Sequence, residues 1–387
     1  MSTAVSSSAG IRTVLRARHV PALLISGQVG RLPVAAAPIA LLLFARQSTS
    51  LAVSGLVVAA YTAGMAAGAP VLARAVDRRG QAPILYGSAL LSGAGFATVA
   101  ISGGRLPLTL AGAVVAGLGT PPLEACLRAL WPALVPPSAV GAAYALEIAV
   151  HEVIFVVGPL VTVAVVAVSG PPAALLVAGL LQLAGVLVFA AHRPVHEWRA
   201  EPAPRHWAGP LRSPRLVALV LGVVGVGAAI GCLPVVITGY AEAAGDRSLA
   251  GWLLAAQAAG ALLGGLLYTR ATPGGPGRLP LVAGAFAAGL LPLALTPGPA
   301  GMAALLAVAG LSLPPLLTVV FLAVDRHAPP GTAVEAFAWV ITAFAVGSAA
   351  GSAAAGALAG AGLGYGFALA PAVATAALLV MLPGRTR

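Results

Sequence analysis

The sequence predicts an all-α membrane protein, with twelve transmembrane helices in two six-helix bundles related by a parallel pseudo-twofold repeat and with both termini in the cytoplasm. Three observations carry this prediction. Only 8% of the 387 residues are charged and 59% are hydrophobic, whereas a soluble domain carries about 25% charged residues. Apolar runs long enough to span a bilayer, about 20 residues each, recur from end to end. The second half of the chain repeats the first.

The runs, bounded by Pro, Gly and Arg, lie at 20–44, 51–73, 83–102, 106–127, 138–160 and 172–191, then at 215–240, 249–269, 279–297, 300–323, 332–354 and 362–382. The first follows Arg12, Arg16 and Arg18 in the manner of a signal peptide. It is 25 residues long and contains Arg31, so it reads as an uncleaved span. The ninth and tenth runs are separated by the turn signal Pro297-Gly298-Pro299. One long polar connection, His192 to Pro214, divides the chain into residues 1–191, a linker 192–214, and residues 215–387. Cys126 and Cys232 stand alone in apolar stretches, which excludes a disulfide scaffold.

The net charge of +11 comes from Arg alone, because the chain has no Lys. With the N-terminus inside, 17 Arg fall on the cytoplasmic side, Arg128 among them, and only Arg46, Arg105 and Arg247 fall outside. That asymmetry fixes the orientation. It also makes the basic excess a topology signal and excludes nucleic acid as a partner.

The repeat is specific. At a register of 193 residues VAGLGTPPL (115–123) lies over VAGLSLPPL (308–316), and Gly158 meets Gly351. At 196, Gly64, Gly68 and Arg74 meet Gly260, Gly264 and Arg270. Six spans per copy is an even number, so both copies enter from the same side and the repeat axis lies along the membrane normal. Pro121-Pro122 and Pro314-Pro315 are expected to kink spans 4 and 10 at matching depths. Gly64-x-x-x-Gly68, Gly260-x-x-x-Gly264 and Gly347-x-x-x-Gly351 allow close helix approach.

The 6+6 parallel repeat and the basic middle loop resemble the major facilitator superfamily over the whole chain. The loop Arg74-Ala75-Val76-Asp77-Arg78-Arg79-Gly80-Gln81 is similar to its cytoplasmic signature. Asp77, Arg78 and Gly80 match; Ala73 stands for the leading Gly, and Gln81 for the first trailing cation. Asp77 near the start of span 3 suits a helix N-terminus. Gly158-Pro159 resembles the core of the span-5 signature of drug–proton antiporters, as in bacterial drug-efflux-like members. The Arg that such antiporters carry in span 4 is Ala113 here. The resemblance implies a secondary transporter of the plasma membrane, whose cytoplasmic loop latches a gate and whose spans 2, 5, 8 and 11 form the surface along which the halves rock. Smooth glycine faces suit that surface.

Intramembrane charge is functional by default. Arg31 lies roughly 17 Å into span 1, Glu147 roughly 14 Å and Glu152 roughly 21 Å into span 5. An Arg31–Glu147 or Arg31–Glu152 pair would neutralise each. Tyr144, Glu147 and His151 share a helix face. The reading is that one acid exchanges protons and the other is structural, with Glu147 first; a static ion pair is the competing reading. Glu124 and Arg128 form an i,i+4 pair near the cytoplasmic end of span 4, or Glu124 joins Arg74 or Arg78 in the latch. Glu335 is expected to meet the same loop from span 11. Gln28, Tyr144, Tyr240, Gln257 and Trp339 are the candidates for a substrate cavity.

No phosphate loop and no zinc-protease helix is present, since His151-Glu152 is followed by no second His. The chain is therefore read as no enzyme and as needing no cofactor or metal. The implied partners are the lipid bilayer, a small-molecule solute and protons, with the chain acting as a monomer. The charge-poor second half favours proton-coupled efflux of an apolar or weakly polar solute. Uptake of a sugar-like or amino-acid-like solute, and a non-transporting sensor or scaffold, are the alternatives.

Overall fold

The computed structural model describes the backbone of residues 7–202, 206–246, 249–270, 276–358 and 363–382. The side chains of 7–10, 51, 52, 152, 269, 270, 276 and 363 lie outside the described set. The secondary structure of the described residues is helix joined by short turns. A short helix α1 (Ser7–Arg16) precedes α2 (Val20–Arg46), α3 (Leu51–Arg79) and α4 (Gln81–Ile101). There follow α5 (Leu106–Leu118), α6 (Leu123–Leu134), α7 (Val140–Ala191) and the one-turn α8 (Arg193–Glu197). The second half holds α9 (Pro214–Ala243), α10 (Leu249–Arg270), α11 (Leu279–Leu290), α12 (Pro299–His327), α13 (Ala333–Leu358) and α14 (Leu363–Met381). Among the described residues, ten helical stretches are long and apolar enough to cross a bilayer, and a shorter apolar stretch covers Leu279–Leu295.

Local chemistry sets the ends. The Ser50 and Ser213 hydroxyls accept from the amides of Val53 and Leu216, capping α3 and α9. The 52-residue α7 is broken by Gly170, at φ 80° and ψ 170°, just before Pro171-Pro172. That conformation is open only to glycine. The expected fifth and sixth spans are its two arms.

Packing repeats as the sequence does. α2 packs on α7 and α3 on α5; α9 packs on α13 and α10 on α12. The contacts correspond residue by residue. Gly64 and Gly68 face the backbone of Val114 and Leu118, while Gly260 and Gly264 face that of Ala307 and Leu311. Gly158 faces Ala35, and Gly351 faces Ala228. Gly347 faces Val224. All these pairs lie within one half, so the glycine faces hold each bundle together. This corrects the expectation that they smooth the surface between the halves. Contacts between the halves run through α3 on α13 and α7 on α10, with the Tyr144 ring tilted against Phe321 and Phe337 at centroid distances of 5.9 and 6.0 Å.

The paired prolines do not act alike. Span 4 is interrupted at Gly119–Pro122, giving two helices, α5 and α6. α12 runs unbroken through Pro314 and Pro315. The residues ahead of the prolines differ: Gly119-Thr120 in the first half, Ser312-Leu313 in the second. Gly costs about 1 kcal/mol against Ala in a helix, and Leu is among the better helix formers. Ser312 also donates to the Ala309 carbonyl at 2.8 Å. One copy therefore breaks where the other stays helical.

Candidate functional site

The break in span 4 builds a buried charge cluster. It starts α6 at mid-span, with Glu124 in its first turn and Arg128 one turn on. α2 brings Arg31 to the same level, and the first arm of α7 brings Glu147 and His151. Arg31 Nη2 donates to Glu124 Oε2 at 2.5 Å and to His151 Nδ1 at 2.6 Å. Arg31 Nη1 lies 3.8 Å from Glu147 Oε1. Arg128 pairs with Glu124 and stands 3.3 Å from Glu147 through Nε. Trp131 Nε1 donates to Glu147 Oε2 at 2.8 Å. Two guanidinium groups thus neutralise two carboxylates, as burial of ionic groups requires. The Arg128 guanidinium also lies 3.7 Å over the Phe321 ring of the second half.

Several readings of the sequence change here. Arg31 does approach Glu147, but its shorter contact is to Glu124. Glu124 makes no latch with Arg74 or Arg78; its partners are Arg31 and Arg128. Arg128 is 3% exposed and belongs to the cluster, which removes it from the tally of loop cations. The Glu152 side chain lies outside the described residues.

A cavity of about 410 Å³ opens between α2, α3, the α5–α6 break and α13. Ala59, Ala66, Met65, Ala338, Ile341 and Val346 give it apolar walls, with Thr62, Thr120 and Thr342 as isolated hydroxyls. Arg31 and Glu124 supply its charge. Glu124 is 19% exposed and Glu147 is 0% exposed, so Glu124 is the carboxylate that meets this space. None of Gln28, Tyr144, Tyr240, Gln257 and Trp339 lines this cavity. Tyr144 is packed between the halves. The Tyr240 hydroxyl donates to the Pro297 carbonyl at 2.6 Å, a structural tie. Gln257 faces Gly310 through its own carbonyl. Gln28 lines a separate groove between α2 and α7. Trp339 Nε1 reaches Glu335 Oε1 at 3.4 Å.

Glu335 anchors a second polar site, on the Arg-rich face. Arg74 grips it with two bonds, Nε to Oε2 at 3.0 Å and Nη2 to Oε1 at 2.5 Å. Asp77 accepts from the amides of Val334 at 3.1 Å and Glu335 at 2.8 Å. It therefore caps α13 of the other half, and its role at span 3 is corrected accordingly. A free helix N-terminus supplies both the donors and the favourable dipole. The start of span 3 is left to Gly80, at φ 89° and ψ 167°, facing the Arg199 guanidinium. Only glycine adopts that conformation without strain, of order 1–3 kcal/mol. Gly80→Ala is expected to lower the thermal unfolding midpoint of the purified protein by several degrees; an unchanged midpoint would mean the turn relaxes freely.

Comparison with known proteins gives the family and the fold. The family model described as Major Facilitator Superfamily matches residues 23–352. No curated protein sequence matches significantly. Among solved structures, the chain is similar to a bacterial homologue of the iron transporter ferroportin in an outward-facing state with soaked iron. The TM-score is 0.74 at 15% identity, covering 95% of this chain and 99% of that one. It is also similar to the human organic anion transporter MFSD10, with a TM-score of 0.68, 15% identity and coverage of 97% and 99%. A third is the proton:xylose symporter XylE bound to a bromodeoxyglucose, with a TM-score of 0.67, 14% identity and coverage of 97% and 96%.

Proposed function

The chain belongs to the major facilitator superfamily of membrane transporters, and from that premise we propose that it exports a small apolar or weakly polar solute by alternating access, driven by protons. The observation that carries this reading is the cavity: apolar walls, three hydroxyls and one accessible carboxylate already held by two arginines. A free anion would want unpaired guanidinium groups there, and a free metal cation would meet Arg31. In this reading the chain makes twelve crossings, counting the two arms of α7 and the Leu279–Leu295 stretch. Residues 1–191 and 215–387 are the moving halves, with 192–214 joining them on the cytoplasmic side of the plasma membrane. The Arg74–Glu335 pair and the Asp77 cap hold that side shut.

Glu124 is the proton-exchanging acid in this scheme, in place of Glu147, because it alone of the two meets the cavity. Protonating it would free Arg31 for Glu147 and His151. Inverted vesicles, tested with and without a pH gradient over a panel of lipophilic drugs and sugars, decide the class. Gradient-dependent accumulation of a drug is the expected result, and accumulation of a sugar alone would replace the reading with uptake. Glu124→Gln is expected to remove the dependence on the gradient while preserving solute exchange. Full coupling in that variant would return the role to another acid.

A further inference from the structure

We infer that the chain carries a binding site for one anionic glycerophospholipid, its acyl chain in the groove between α2 and α7 and its phosphate on the arginines around α1. The groove has a volume of about 370 Å³ and is lined on α2 by Leu24, Ile25 and Leu32, and on α7 by Val150, Val153 and Val157. Ile25 is 67% and Val153 53% exposed, so the groove is open along its length. Leu32 also lines the neighbouring small cleft between α2 and the two arms of α7, which continues the groove away from the cavity. The buried cluster uses other residues of these helices, Arg31, Glu147 and His151, so the groove is separate from it.

α1 closes the groove at one end. Val14 is fully buried in the core, which fixes the helix, and the next residue, Leu15, lines the groove. Arg12, Arg16 and Arg18 are exposed there and have no carboxylate partner among the described residues. An apolar groove with three permanently charged guanidinium groups within three residues of Leu15 in its wall has the charge layout of an acyl chain with a phosphodiester. Basic residues at the bilayer surface attract anionic lipid, and Arg binds phosphate through its planar fork. The occupant is a lipid, because an apolar groove at this depth gives a free anion nothing to bind.

The test is native mass spectrometry of the full-length protein in detergent, given equal phosphatidylglycerol and phosphatidylcholine with identical chains. The expected result is preferential retention of a single phosphatidylglycerol. Arg12→Gln/Arg16→Gln/Arg18→Gln is expected to cut that preference at least about tenfold, and Val153→Trp to reduce retention by filling the groove. Ile25→Trp, from the opposite wall, replaces Val153→Trp if that variant does not fold. Arg105→Gln is the control and should change nothing. Unchanged retention in the triple variant or in the groove-filling variant overturns the site, as does displacement of the lipid by inorganic phosphate at equal concentration.

Discussion

Replacing Arg31 with Met is expected to abolish transport and to destabilise the protein by about 3–5 kcal/mol, the cost of breaking a buried ion pair from one side. The reason lies in the count of charges. With Arg31 present, two guanidinium groups face Glu124 and Glu147 across contacts of 2.5–3.8 Å. Without it, Arg128 alone must serve both carboxylates, and His151 Nδ1 loses its donor. Glu124 borders the cavity, where the proposed scheme has it take up a proton. Glu147 is sealed against Trp131 and Arg128, away from the cavity. The measurement is thermal unfolding of the single variant beside Arg31→Met/Glu124→Gln, which removes one charge of each sign. The double variant is expected to recover most of the lost stability and none of the coupled transport. If both variants melt together, the pairing of Arg31 with Glu124 contributes nothing and the cluster must be redrawn around Glu147.

Why the sequence pointed to Glu147 as the partner and left Glu124 in a helical pair is a matter of backbone. Depth along a span is counted at a fixed rise per residue, and that count holds only while the helix continues. Arg31, Glu147 and His151 sit on continuous helix, and their levels were legible from position alone. Glu124 and Arg128 follow the Gly119–Pro122 break, where the count restarts. The same dipeptide, Pro-Pro, stands in both halves, so the signal that separates them is the weaker one just ahead of it, Gly119-Thr120 against Ser312-Leu313. The repeat itself was legible to the residue: the 193 and 196 registers carry the glycine contacts of one half onto those of the other, although the sequence did not show which backbone each glycine meets. The cavity was not, because its walls are Ala, Val, Ile and Met, residue types common to every span. Polar residues such as Tyr240 and Gln257 stand out in so apolar a chain, yet neither lines the cavity.

Glu335→Gln is expected to shift the conformational equilibrium toward opening on the Arg-rich side by roughly 10- to 150-fold, the equivalent of losing about 1.5–3 kcal/mol of charge-assisted hydrogen bonding. The latch joins α3 to α13, from opposite halves, and Glu335 is its centre. Its carboxylate takes both bonds from Arg74, and its amide donates to Asp77. The substitution neutralises the acid and leaves the amide, so Asp77 keeps its cap and α13 keeps its start. What is lost is the charge-assisted grip of Arg74, an interaction that exists only while the two halves touch on this side. An interaction confined to one state changes the population of that state by its full worth. The effect should therefore appear in access and leave the fold intact. Labelling a Cys introduced at Ala69, on the cavity wall near the latch, reads this directly when a membrane-impermeant thiol reagent is applied from the Arg-rich side. Faster labelling in Glu335→Gln, with a single cooperative unfolding transition retained and its midpoint lowered by no more than several degrees, is the expected result. Asp77→Asn, which weakens the cap and leaves the Arg74 grip, should raise labelling less. Equal labelling of wild type and Glu335→Gln would mean that the aromatic contacts of Tyr144, Phe321 and Phe337 hold this side shut without the ion pair.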